Sequence, residues 1–138
     1  VDGNVLRVMR RRPSARTWLT LVHHALQFDD LACAAGIEPL GDGWVEIDAD
    51  QAEEHLAHIL SHDLVHDREL LPQQSARWFA EDFIKTLGAN GARFATNISG
   101  CLADATYSWR PATRFAVDAG VVILAATGSA IYWVADED

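Results

Sequence analysis

Apolar positions change their spacing partway along this chain. Up to Gly88 they recur mainly at three and four residues, as helices with one buried face require. Beyond it they alternate or run continuously, as strands do. After Pro13, Ser14 is a suitable N-cap. Trp18, Leu21, Val22, Ala25 and Leu26 then predict a helix over residues 15–27. A strand over 18–22 is the alternative, because that stretch is short, apolar and partly β-branched. Asp29 or Asp30 caps a short helix over 31–35, stopped by Gly36. Residues 39–43 read as a turn and 44–47 as a short strand. The clearest helix start follows, where Asp48 with Gln51, or Asp50 with Glu53, forms a capping box. That helix runs to about residue 60 and buries Ala52, Leu56, Ile59 and Leu60. Leu70-Leu71-Pro72 breaks the chain. A helix from Gln73 then buries Ala76, Phe79, Phe83 and Leu87, and Gly88 ends it.

Gly88-Ala89-Asn90-Gly91 reads as a turn into a strand over 92–96, and 97–112 as a long loop. Strands follow over 114–117, 121–126 and 130–135, separated by Asp118-Ala119-Gly120 and by a Gly128 hairpin turn. Val121 to Leu124 is apolar on both faces, as in a central strand or an interface between copies. Helices first and a meander afterwards predict an α+β fold. In it, N-terminal helices pack on one face of a small, mainly antiparallel sheet formed by the C-terminal half. Residues 14–138 form a single domain, and residues 1–13 a basic, irregular arm.

Charge sharpens this division. In residues 1–16 Arg7, Arg10, Arg11, Arg12 and Arg16 face one acid, Asp2, a surplus of four. The other six basic groups face 19 acids, a deficit of 13, and the two parts give the formal net charge of −9. Such a body suits a basic protein partner and excludes nucleic-acid binding by the body itself. The basic arm suits phosphates, anionic lipid or an acidic partner, or folds back on the acidic body. Met9, the only methionine, offers a natural start, with residues 1–8 as added or processed sequence. Cys33 and Cys101 lack any close spacing, which excludes a metal knuckle and points to free thiols in a reducing cytoplasm. No apolar run is long enough to span a bilayer, and the basic N-terminal stretch lacks the long apolar segment of an export signal. Trp18, Trp44, Trp78, Trp109 and Trp133 are spread along the chain, which suits anchors of successive elements to a core.

Candidate chemistry is sparse. There is no nucleophile elbow, phosphate-binding loop or dinucleotide fingerprint, and no cofactor is implied. His55, His58, His62 and His66 recur at three and four residues, so a continuous helix places them on one stripe. Pairs at four residues can share a metal, which makes His58, His62 and His66 the alternative site. The glutamate beside the first histidine of a hydrolytic zinc helix is missing. Asp63 and Asp67 each follow a histidine and point about 100° away on such a helix, as poor co-ligands. His23-His24 reads as one core-edge and one surface residue. Asp42, Glu46, Asp48, Asp50, Glu53 and Glu54 crowd a strand-to-helix corner, as helix caps or as a docking surface that steers a basic partner.

The C-terminal stretch, Asp118-Ala119-Gly120-Val121-Val122-Ile123-Leu124 and then Ile131-Tyr132-Trp133-Val134-Ala135-Asp136-Glu137-Asp138, resembles the ending of small acidic bacterial immunity proteins encoded beside polymorphic toxins. The resemblance implies a cytoplasmic, non-enzymatic, single-domain protein that binds one toxin and occludes its active site. It carries over no binding residue by position. From the charge pattern, the expected contacts are the six corner acids with Trp44 as aromatic anchor, and the terminal Asp136, Glu137 and Asp138. The expected assembly is a monomer or homodimer.

Overall fold

The computed structural model describes residues 1–88, 91–104 and 106–137. Among them run α1 (Gly3–Arg10), β1 (Arg16–Val22), α2 (Phe28–Ala35), β2 (Val45–Ile47), α3 (Ala49–Ser61) and α4 (Gln73–Leu87). They are followed by β3 (Arg93–Thr96), β4 (Ile98–Ser99), β5 (Ser108–Trp109), β6 (Val117–Leu124) and β7 (Ser129–Asp136). Five strands form one sheet in the order β1-β7-β6-β3-β2, with every neighbouring pair antiparallel. The α+β class holds. No described helix is long and apolar enough to cross a membrane.

The sheet is the middle of three layers, because alternate residues of its strands point to opposite faces. On one face Val121, Ile123, Tyr132 and Val134 meet Val5, Met9, Leu56, Ile59, Phe83 and Ile84 of α1, α3 and α4. On the other, Val122, Ile131 and Trp133 meet Phe28, Leu31 and Ala32 of α2. Val121 to Leu124 therefore lies in an interior strand, and the N-terminal half contributes two strands, β1 and β2.

Finer expectations are corrected. Helices cover both faces of the sheet and not one, with α2 opposite α1, α3 and α4, and the sheet takes β1 and β2 from the N-terminal half. Residues 16–22 are a strand, not the favoured helix: β1 pairs with β7 from Arg16↔Ala135 to Val22↔Ser129. Its spacing fits a helix by coincidence, and the unpaired edge of β7 decides the outcome, since buried backbone groups need partners. Residues 1–13 are not irregular. Asp2 caps α1 by accepting the Asn4 N–H at 2.7 Å, and Val5 and Met9, one turn apart, are fully buried. Asp118-Ala119-Gly120 is no break but part of the first half of β6. Gly120 sits opposite Trp133, where an added Cβ would lie 2.4 Å from the indole. The glycine is there to admit a ring, not to make a turn. The loop after β3 contains β4 and β5, which pair through Ile98↔Trp109 and Ser99↔Ser108. The turn at Ala89 and Asn90 lies outside the described residues.

Candidate functional site

Three elements converge on the C-terminal end of α3. The helix starts as its sequence demands: Asp48 accepts the Gln51 N–H at 2.8 Å, and Gln51 returns a bond to the Asp48 N–H at 3.0 Å. It ends at Ser61, where His62 turns extended. Arg12 enforces that end by donating to the carbonyls of Ile59 and, at 2.9 Å, His62. The chain then doubles back. Asp63 organises the return, accepting N–H bonds from Val65, His66 and Arg68 at 3.0, 2.6 and 2.9 Å. Burial opposes the charge on Asp63, but these N–H groups outweigh it and hold its carboxyl below the usual range.

This return loop brings Asp67, with φ 55°, over the helix it has just left. Its Oδ1 lies 3.3 Å from Nε2 of His58. His58 and His62 stack with centroids 4.8 Å apart and planes 13° from parallel. Nδ1 of His62 lies 2.7 Å from Oγ of Ser61, which donates to the His58 carbonyl at 3.3 Å. The Ser61 hydroxyl thus ties Nδ1 of His62 to the last turn of α3 and leaves Nε2 as the other ring nitrogen. One potential ligand atom from each of His58, His62 and Asp67 falls within 4.8 Å of the others. The expected histidine stripe is cut short, because His62 caps the helix and His66 lies on the loop. His66 does not join the cluster, and Asp67, expected to point away, does.

A cleft of about 280 Å³ adjoins the cluster, lined by Glu54, His55, His58, Ser61, Arg77 and Cys101 among others. His55 is 8% exposed. Burial, then the nearby His58, pushes its pKa below the usual 6.5. Burial and His62 push His58 the same way, against the pull of Asp67. The unfolded chain therefore protonates before the folded one. The stability contributed by neutral His55 is complete above about pH 6.5 and is lost as pH falls through its depressed folded value. The denaturation midpoint should fall between pH 7 and 5, and His55→Gln should flatten that slope. An unchanged slope in the variant would show His55 to be solvated.

The expected docking residues scatter. Asp42, Asp48, Asp50 and Glu54 are exposed and form no ion pair among the described residues. Glu46 is held by Arg93 through two hydrogen bonds of 2.7 and 2.9 Å, which lower its pKa. Glu53 is half-buried; burial raises its pKa, with Lys85 opposing and Glu81 and Asp50 adding to the rise. Trp44 faces inward: its Nε1–H donates to Asp29 at 2.7 Å, and its ring meets Trp133 edge-on at 5.8 Å. Asp136 is also internal. It is 5% exposed and accepts both terminal nitrogens of Arg12 at 2.9 Å, so it is no surface carboxylate. Glu137 is exposed, and Asp138 lies outside the described residues.

One surface residue is missing from the expected site. Trp78 is 54% exposed on α4. It shares a stripe with Glu81 and Lys85, three and seven residues on. Those two lie within electrostatic reach of Glu53. The helical period carried this signal, since Trp78 lies off the face that buries Ala76, Ala80 and Phe83. Comparison with protein-family models, curated proteins and solved structures finds no match.

Proposed function

We propose that this chain is a non-enzymatic, cytoplasmic binding protein that docks a basic protein partner through the face shared by α3 and α4. This is the kind of contact by which a bacterial immunity protein masks its toxin. The observation that carries the reading is an exposed tryptophan on α4 with unpaired carboxylates on the neighbouring helix α3. Trp78 stands out from α4, where Glu81 pairs with Lys85 at 3.9 Å, while Asp50 and Glu54 project from α3 without ion pairs among the described residues. Buried aromatic anchors dominate interface energies, and surrounding charge sets the encounter rate and the register. Trp78 takes the anchoring role that sequence suggested for Trp44.

The reading predicts a division of effects. With the tagged chain as bait in its host's lysate, a basic protein should bind stoichiometrically and elute with salt. Trp78→Ala should weaken that complex by about 2 kcal/mol or more, mainly through faster dissociation. Asp50→Lys with Glu54→Lys should slow association and flatten its salt dependence. A partner held equally well by all variants would place the interface elsewhere and overturn the assignment.

A further inference from the structure

We propose that His58, His62 and Asp67 bind one zinc ion, leaving a fourth coordination position open to water. This inference is independent of the docking face.

Two imidazoles and a carboxylate are the donors a borderline cation such as zinc prefers, and three protein ligands with one open position is the usual arrangement of a non-structural zinc site. The distances suit it. A tetrahedral ion with bonds of about 2.0–2.2 Å holds its ligand atoms roughly 3.3–3.5 Å apart. His58 Nε2 and Asp67 Oδ1 are already at 3.3 Å, and all three ligand atoms fall within 4.8 Å. The remainder is closed by His62, whose ring, now 13° from parallel with that of His58, must tilt out of the stack to point at the same ion. The ion would lie between His58 Nε2 and Asp67 Oδ1, which face each other at 3.3 Å.

The supporting shell is also present. A metal-bound histidine is normally oriented through its other nitrogen. Here the Ser61 hydroxyl does this for His62, and the His58 carbonyl fixes that hydroxyl in turn. Asp67 is delivered by a turn whose geometry Asp63 sets through three backbone N–H groups. Its side chain is 72% exposed, which gives the ion a route in from solvent. The adjoining cleft is lined by His58 of the cluster and by Ser61, which supports His62, so a ligand lodged there would sit beside the ion.

The test titrates the untagged full chain with Zn²⁺ by calorimetry, and with Co²⁺ as a visible-absorbing substitute. One equivalent of Zn²⁺ should bind, and Co²⁺ should show the intense bands of a four-coordinate site. His58→Ala and Asp67→Asn should each abolish binding. Asp67 is on the surface, so its variant keeps the fold, which far-UV circular dichroism would check. Ser61→Ala should weaken binding roughly 10- to 100-fold. His66→Ala, and His23→Ala with His24→Ala, should leave it unchanged. Absence of binding, substoichiometric binding, or binding that survives Asp67→Asn in a folded protein would overturn the assignment. So would binding lost with His66 or with the His23-His24 pair.

Discussion

Arg12→Ala is expected to destabilise this protein by about 3–5 kcal/mol, the range for removing one partner of a buried ion pair. The Arg12 and Asp136 side chains are 1% and 7% exposed. The guanidinium donates to both Asp136 oxygens, to the carbonyls of Ile59 and His62, and at 3.0 Å to the Pro13 carbonyl and Ser14 hydroxyl. Alanine would leave a buried carboxylate supported, among the described residues, by only the Leu64 N–H, at 2.8 Å, and would strand the carbonyls of Ile59 and His62 at the end of α3. One side chain thus ties together the N-terminal segment, the end of α3 and the last strand. A second tie reinforces it. The Tyr132 hydroxyl donates to the Met9 carbonyl at 2.7 Å, and burial raises the phenol's pKa above its ordinary value. Urea denaturation of Arg12→Ala and Asp136→Asn should show large losses in both. The double variant Arg12→Met with Asp136→Leu should cost much less than the sum of the two, because it leaves no unpaired charge. A loss below about 1 kcal/mol for Arg12→Ala would mean that water replaces the guanidinium.

The same pair shows which parts of the fold could be read in advance. Elements signalled by neighbours in sequence were legible. The Asp48–Gln51 box started α3, the Ala76–Phe83 spacing marked α4, and Gly36, at φ 84°, stopped α2. Elements defined by distant partners were not. β1 is a strand because β7 offers it an edge, and its apolar spacing could not reveal that. Arg12 and Asp136 looked like an arm and a tail of opposite charge; their attraction was foreseeable, but not their burial across 124 positions. Asp67 departs from its expected direction for a related reason. That direction holds for a helix continuing past Ser61, whereas the helix ends where Arg12 takes its carbonyls. The candidate metal cluster therefore depends on a loop geometry that the histidine spacing does not encode. Trp78 was visible only as a tryptophan off the buried stripe, and its exposure needed the packing of α4 against α3.

Asp118→Ala should be comparably damaging, with a loss of at least about 3 kcal/mol, since each buried donor left unpaired costs about 1–3 kcal/mol. Asp118 is fully buried and has no cation within ion-pair distance among the described residues. Neutral donors surround its charge instead. Oδ1 accepts the Trp133 indole N–H at 3.0 Å and the Asn97 amide at 3.1 Å. Oδ2 accepts the Thr113 N–H at 3.1 Å and its hydroxyl at 2.9 Å. The Ala112 N–H reaches both oxygens, at 3.1 and 3.2 Å. The carboxylate thus fixes the segment before β6 and orients the indole that lies over Gly120. Alanine would orphan the Trp133 indole N–H and the Ala112 and Thr113 N–H groups in a layer packed by α2, where water has little access, while the Asn97 amide would keep the carbonyls of Arg110 and Asp118. Asp118→Asn should recover part of the loss. It keeps the shape and one acceptor oxygen, but its amide presents N–H groups to other donors. Denaturation monitored by near-ultraviolet circular dichroism would report both the stability and the setting of Trp133. If Asp118→Ala cost less than about 1 kcal/mol with the tryptophan signal intact, water would be serving the donors and the buried charge would be dispensable. The expected result is a large loss with an altered tryptophan signal, because β6, the indole and the loop that Asn97 spans depend on one carboxylate. That dependence would explain an acid near the start of an otherwise apolar strand without assigning it any role in binding.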